Sequence, residues 1–113
     1  MPSAEIKWRV PYDWTVVQSD GWRMRLDVSQ DGNTLIGKAH GTRSRDSATM
    51  TGMLNGSIDG DELYMTIYWS NNSIGKYLGT VSEQGHVEGT SIEENNSTLV
   101  VQWSAEPALT EWV

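Results

Sequence analysis

Short segments that alternate apolar and polar residues recur roughly every ten positions along this chain, each bounded by Gly, Asn, Asp or Ser. A period of two puts successive side chains on opposite faces of a strand, and no segment shows the spacing a helix needs to bury one face. The pattern predicts strands near 12–18, 22–29, 33–41, 48–58, 61–70, 73–83, 86–93 and 98–105. Between them Ser19-Asp20-Gly21, Gln30-Asp31-Gly32-Asn33, Asp59-Gly60, Asn71-Asn72 and Glu83-Gln84-Gly85 supply residues that tolerate positive φ, so each predicts a tight hairpin. Only Thr42 to Ser47, with Arg43 and Arg45, and Glu93 to Ser97 read as longer loops at strand ends, where binding sites gather.

One hairpin is written twice. Val28-Ser29-Gln30-Asp31-Gly32 leading to Leu35-Ile36-Gly37-Lys38 is echoed by Val81-Ser82-Glu83-Gln84-Gly85 leading to Val87-Glu88-Gly89-Thr90. A meander of eight strands leaves two unpaired edges, and closure removes both. The expected fold is therefore all-β: an eight-stranded antiparallel up-and-down barrel, with a two-sheet sandwich as the alternative. The whole chain, 1–113, reads as one barrel domain, with 1–11 as an N-terminal arm and 106–113 as a C-terminal tail. There is no cysteine, so hydrophobic burial has to hold the fold.

Alternation assigns the faces. Trp22, Met24, Leu26 and Val28 share one side of the second strand against Arg23, Arg25, Asp27 and Ser29, so the apolar set points inward. Leu35, Gly37 and Ala39 follow suit, as do Leu63, Met65, Ile67 and Trp69, and Leu99, Val101 and Trp103. The outward rows carry Tyr64, Tyr68, Leu78 and Val100, more apolar surface than a lone barrel needs, which predicts a homo-oligomer. Six Trp and four Tyr with no Phe is an unusual aromatic set, because Trp brings an N–H that wants a partner; it hints at a cavity wall.

Eight Lys and Arg against 15 Asp and Glu give a net charge of −7, which opposes binding to nucleic acid or an anionic membrane. Met1 to Lys7 lacks a basic start followed by an apolar run, and no stretch reaches the roughly 20 apolar residues of a membrane span, so the expected location is cytoplasmic.

Several segments resemble the avidin and streptavidin family of eight-stranded barrels. Thr66-Ile67-Tyr68-Trp69-Ser70-Asn71-Asn72 is similar to the family's strand with Thr, two residues, Trp, one residue and Asn-Asn, which implies that Trp69 contacts a ligand. Ser73-Ile74-Gly75-Lys76-Tyr77-Leu78-Gly79 resembles the following strand and implies a second aromatic wall at Tyr77. Trp14 resembles the first-strand Trp, Asp31-Gly32 through Gly37 the third strand, and Ser97-Thr98-Leu99-Val100 the eighth. At the positions where the family surrounds biotin's ureido group with polar partners, this chain has Val16, Ala39 and Trp103. Each missing bond to a buried polar ligand costs about 1–3 kcal/mol, so the expected ligand is not biotin.

The catalytic inventory is thin. There is no nucleophile elbow, and His40 and His86 have no companion at metal-ligand spacing, so no catalytic residue, metal or cofactor is expected. The carboxylates of Asp59 to Glu62 lack the spacing of a calcium loop, and Glu93-Glu94 reads as a solvated loop. Arg43 and Arg45 have the chemistry to recognise an anion, against the plainer reading of a polar loop. Two functions remain. The first is a binding module whose cup takes a small hydrophobic or aromatic ligand, lined by Trp22, Trp69, Tyr77 and Trp103, with Val16, Ala39 and Met65 beside them and Gly37, Gly75, Gly79 and Ala39 making room. The second is a small cyclase or isomerase using Tyr77 or Lys76 for proton transfer, disfavoured because no inward acid–base pair is evident.

Overall fold

The computed structural model describes residues 6–112, except for the side chain of Ser97. The parts of the expected arm and tail at 1–5 and 113 lie outside the described residues. The strands are β1 (Trp8–Arg9), β2 (Asp13–Gln18), β3 (Trp22–Asp31), β4 (Thr34–Arg43), β5 (Ala48–Asp59), β6 (Glu62–Trp69), β7 (Ile74–Val81), β8 (Val87–Glu93), β9 (Asn96–Glu106) and β10 (Thr110–Glu111).

Strands β2 to β9 pair each with the next, all antiparallel, and the ring closes where β9 returns to β2 through Thr15↔Glu106 and Gln18↔Trp103. The meander barrel read from the alternation is the observed fold, and the sandwich is excluded. The punctuating turns carry the backbone their residues allow: Gly21, Gly32, Gly60 and Gly85 have φ of +96°, +61°, +58° and +87°, and Asn72 has +71°. One expected loop is shorter than the sequence implied. β9 starts at Asn96, so Glu93 to Ser97 contracts to the two residues Glu94-Asn95, with a register shift between Ile92 and Glu93.

Bending so few strands into a closed ring requires places where neighbouring backbones come unusually close. Gly37 and Gly89 are two of them. A Cβ on Gly37 would run into the Asp27 carbonyl on β3, and one on Gly89 into the Leu78 carbonyl on β7. The expectation that Gly37 and Gly79 open space in the lumen is corrected here. Backbone fills the first position, and the second is filled by Trp103, whose Cη2 would lie 2.8 Å from an added Cβ.

The two ends of the barrel differ. At the end holding the β3–β4, β5–β6 and β7–β8 turns, β1 and β10 form a two-residue ribbon, with Trp8↔Glu111 and Arg9↔Thr110 paired. Trp8, Val10 and Leu109 are buried beneath it. Polar clamps fix this plug: Trp8 Nε1 donates to Asp61 Oδ1 at 2.8 Å, Val10 N to Gln30 Oε1 at 2.8 Å and Leu109 N to the Gly85 carbonyl at 2.8 Å. Trp14, fully buried just inside, donates Nε1 to the Pro107 carbonyl at 3.0 Å. The opposite end has no such cover among the described residues.

Candidate functional site

At the uncovered end the inward rows run out in Gln18 on β2, Trp22 and Met24 on β3, Met50 on β5, Trp69 on β6, Gly75 and Tyr77 on β7 and Ser91 on β8. Between them is a cup of about 160 Å³. Glycines let the aromatic rings converge. A Cβ on Gly41 would stand 3.4 Å from Trp22 Cε3 and 3.5 Å from Trp69 Cη2, so both indoles meet over that bare backbone. At Gly75 the equivalent point is 2.9 Å from Tyr77 Cε1 and 3.4 Å from Trp69 Nε1. Trp22, Trp69 and Tyr77 therefore form one continuous wall.

The base of the cup is polar and ordered. Tyr77 donates its phenol hydrogen to Gln18 Oε1 at 2.6 Å, and Gln18 Nε2 donates to Asp20 Oδ1 at 3.0 Å. Met24 Sδ lies 3.4 Å from the same phenol oxygen. Burial, and after it the charge of Asp20, push the Tyr77 phenol well above its ordinary range, so it acts as a neutral donor. That weakens the case for Tyr77 as a proton-transfer group. Lys76, the other residue weighed for that role, belongs to the outward row of β7 and pairs with Glu94 at 3.4 Å.

The structure brings together three of the seven residues singled out from the sequence. Trp22, Trp69 and Tyr77 line the cup, with Trp69 8% exposed at its edge. Val16, Ala39, Met65 and Trp103 are buried in the layers below and do not line it. Trp103 packs edge-on to Tyr77, with ring centroids 6.0 Å apart at 70°, and donates Nε1 to the Thr90 carbonyl at 3.0 Å. It is the floor under the cup. Sequence reasoning missed Gln18, although it continues the inward row of Trp14 and Val16, and it missed that Asp20 and Glu93 reach the rim.

A larger hollow, about 650 Å³, lies on the outer wall above the Ala39↔Gly52 pair, between Met53 and Tyr68 and the charged Arg25, Asp27 and Lys38. Its walls belong to outward rows, and no buried polar side chain converges on it. Among the described residues no group of three or more His, Asp or Glu is placed to hold a metal ion, and no helix is long and apolar enough to cross a membrane.

No family model and no curated protein matches the chain. Solved structures do. A redesigned β-barrel, mFAP1, bound to DFHBI, is 17% identical with a TM-score of 0.63, covering 89% of this chain and 92% of its own. Another redesigned barrel, b11L5F_LGL, is 17% identical with a TM-score of 0.65 over 89% and 88%. EF1p2_mFAP2b, also bound to DFHBI, is 14% identical with a TM-score of 0.61 over 94% and 91%. This chain shares their barrel fold. What the structure shows of the resemblance to avidin and streptavidin is the eight-stranded antiparallel barrel.

Proposed function

We infer that the chain is a small-molecule-binding barrel that takes one small hydrophobic or aromatic ligand in the cup walled by Trp22, Trp69 and Tyr77, and that biotin is not that ligand. The observation that carries this reading is a division among the indoles. Trp8, Trp14 and Trp103, in the plug and core, each donate their N–H to a protein oxygen at 2.8–3.0 Å. Trp22 and Trp69, which line the cup, make no such bond among the described residues, and neither does Trp112. A buried indole normally finds a partner for its N–H, so Trp69, the buried indole without one, belongs with the half-buried Trp22 beside it to a surface built to meet something else, while the half-buried Trp112, also without such a bond, lies outside the cup against Arg9. The volume of about 160 Å³ suits a single ring, since a cavity of about 150 Å³ holds benzene. Similar barrels bound to DFHBI support the reading of this fold as a ligand holder.

The test is indole emission during titration with DFHBI, indole and toluene, with biotin as the control. At least one aromatic changes the emission saturably, biotin does not, and Trp69→Ala abolishes the response. An emission unmoved by every aromatic overturns the reading. The proposal includes self-association, supported by the exposed Tyr64, Tyr68, Leu78 and Val100 of the outer wall.

A further inference from the structure

We propose that the cup selects a cationic ligand, a quaternary or aromatic ammonium, over neutral and anionic molecules of the same shape; this rests on the binding reading above. Two carboxylates, Asp20 and Glu93, line the cavity, and no Lys, Arg or His does. Both are held by neutral donors only. Asp20 Oδ1 accepts from Gln18 Nε2 at 3.0 Å and from the Trp22 N–H at 3.3 Å. Glu93 Oε2 accepts from the Asn95 N–H at 2.9 Å and its Oε1 from the Ile74 N–H at 3.4 Å. These bonds aim the carboxylates without cancelling their charge.

Arg43 and Lys76 each pair with another carboxylate, Asp46 at 2.7 Å and Glu94 at 3.4 Å, although Arg43 also feels the charge of Asp20. Arg45 shares the loop with Asp46 and acts on its carboxylate. Among the described residues Asp20 and Glu93 form no ion pair within 4 Å. Arg43 lies 4.9 Å from the Trp22 ring centroid and does not line the cavity, so a cation already sits against one of the cup's indoles. An ammonium entering the cup meets aromatic walls and two carboxylates that form no ion pair, where an anion meets repulsion and a neutral molecule gains only burial. The space fits a trimethylammonium head or a single ring, and the −7 net charge of the chain adds long-range attraction in the same sense.

Three probes of one shape class separate the possibilities: phenyltrimethylammonium, its uncharged isostere tert-butylbenzene, and benzenesulfonate, each titrated against indole emission. At low salt the cation binds about tenfold more tightly than the isostere, and the gap narrows by about 1 M salt, where screening acts within about 3 Å. In the Asp20→Asn, Glu93→Gln double variant one amide oxygen keeps both bonds made to Asp20 Oδ1 and the other keeps the shorter bond from Asn95 while giving up the 3.4 Å one from Ile74, so the cation's lead over tert-butylbenzene narrows. Equal binding of cation and isostere in the unmodified protein overturns the charge selection and leaves the cup. Tightest binding of benzenesulfonate overturns it in favour of Arg43 and Arg45. An undiminished gap in the folded double variant removes the two carboxylates from the account. No response to any probe refutes the cup itself. If the double variant does not fold, the three-probe series and its salt dependence in the unmodified protein still decide.

Discussion

Tyr77 and Gln18 reach each other across the lumen, from β7 and β2, in a 2.6 Å hydrogen bond that fixes the base of the cup. Removing the hydroxyl leaves the Gln18 carbonyl oxygen facing Met24 sulfur and apolar ring in a side chain only 9% exposed. Tyr77→Phe is therefore expected to lose about 1–3 kcal/mol of stability, measured by urea unfolding with unchanged slope. A variant as stable as the parent shows that the bond holds no net energy.

The two tryptophans that look equivalent in the sequence differ in what surrounds them. Trp103 is enclosed by Gly79, Val87 and Tyr77, and truncating such a packed ring costs about 3–5 kcal/mol. Trp69 has part of its surface on the cup already. Trp69→Ala is expected to cost measurably less than Trp103→Ala in the same denaturation experiment, and the reverse order refutes the assignment of Trp103 to the floor.

This distinction marks how far the sequence carries. Alternation on β3 and β6 displays which row faces inward, because a strand's period of two is local and polar residues such as Arg23 and Arg25 cannot be buried unpaired. The depth of an inward residue along the barrel axis depends on stagger between strands, which no single segment encodes; hence Trp103 and Trp69 were indistinguishable. Glycine is ambiguous for the same reason. Gly79 shows only that a Cβ is missing, and whether the gap is empty or taken by Trp103 is decided by a strand far away in sequence. The β1–β10 ribbon pairs residues a hundred positions apart over two rungs, too little for any pattern to form.

Asp46 sits in the β4–β5 loop, where the hydrogen bond from the Arg43 guanidinium, and then the Ala48 backbone N–H, hold its carboxyl down at about 2 from an ordinary 3.8. A depressed acid stabilises the folded arrangement above its unfolded value, and that contribution disappears as pH falls through the folded value. That contribution fades between pH 3.8 and about 2, and as pH falls through about 2 Arg43 is released from Asp46, changing its position against the Trp22 ring, 4.9 Å away, and with it the indole emission. Asp46→Asn is expected to show the acid-form emission at neutral pH and to lack this step. A step of equal size in the variant places its origin in another carboxyl.

Tyr64 faces Leu78 directly across β6 and β7 on the outer wall, and both are exposed. Light scattering is expected to give a mass above the 12.6 kDa of one chain, and Leu78→Glu to reduce it to that value. A single-chain mass for the unmodified protein at high concentration rules out self-association.

Because Trp8 pairs with Glu111 and Arg9 lies 4.4 Å from the Trp112 ring, the polypeptide enters and leaves the barrel side by side, at the plugged end. Such geometry makes the barrel a cassette. Spliced into a surface loop of a host protein, it spans almost no distance between its attachment points and presents its mouth away from the graft, so it can be transplanted without stretching the host or obstructing the entrance.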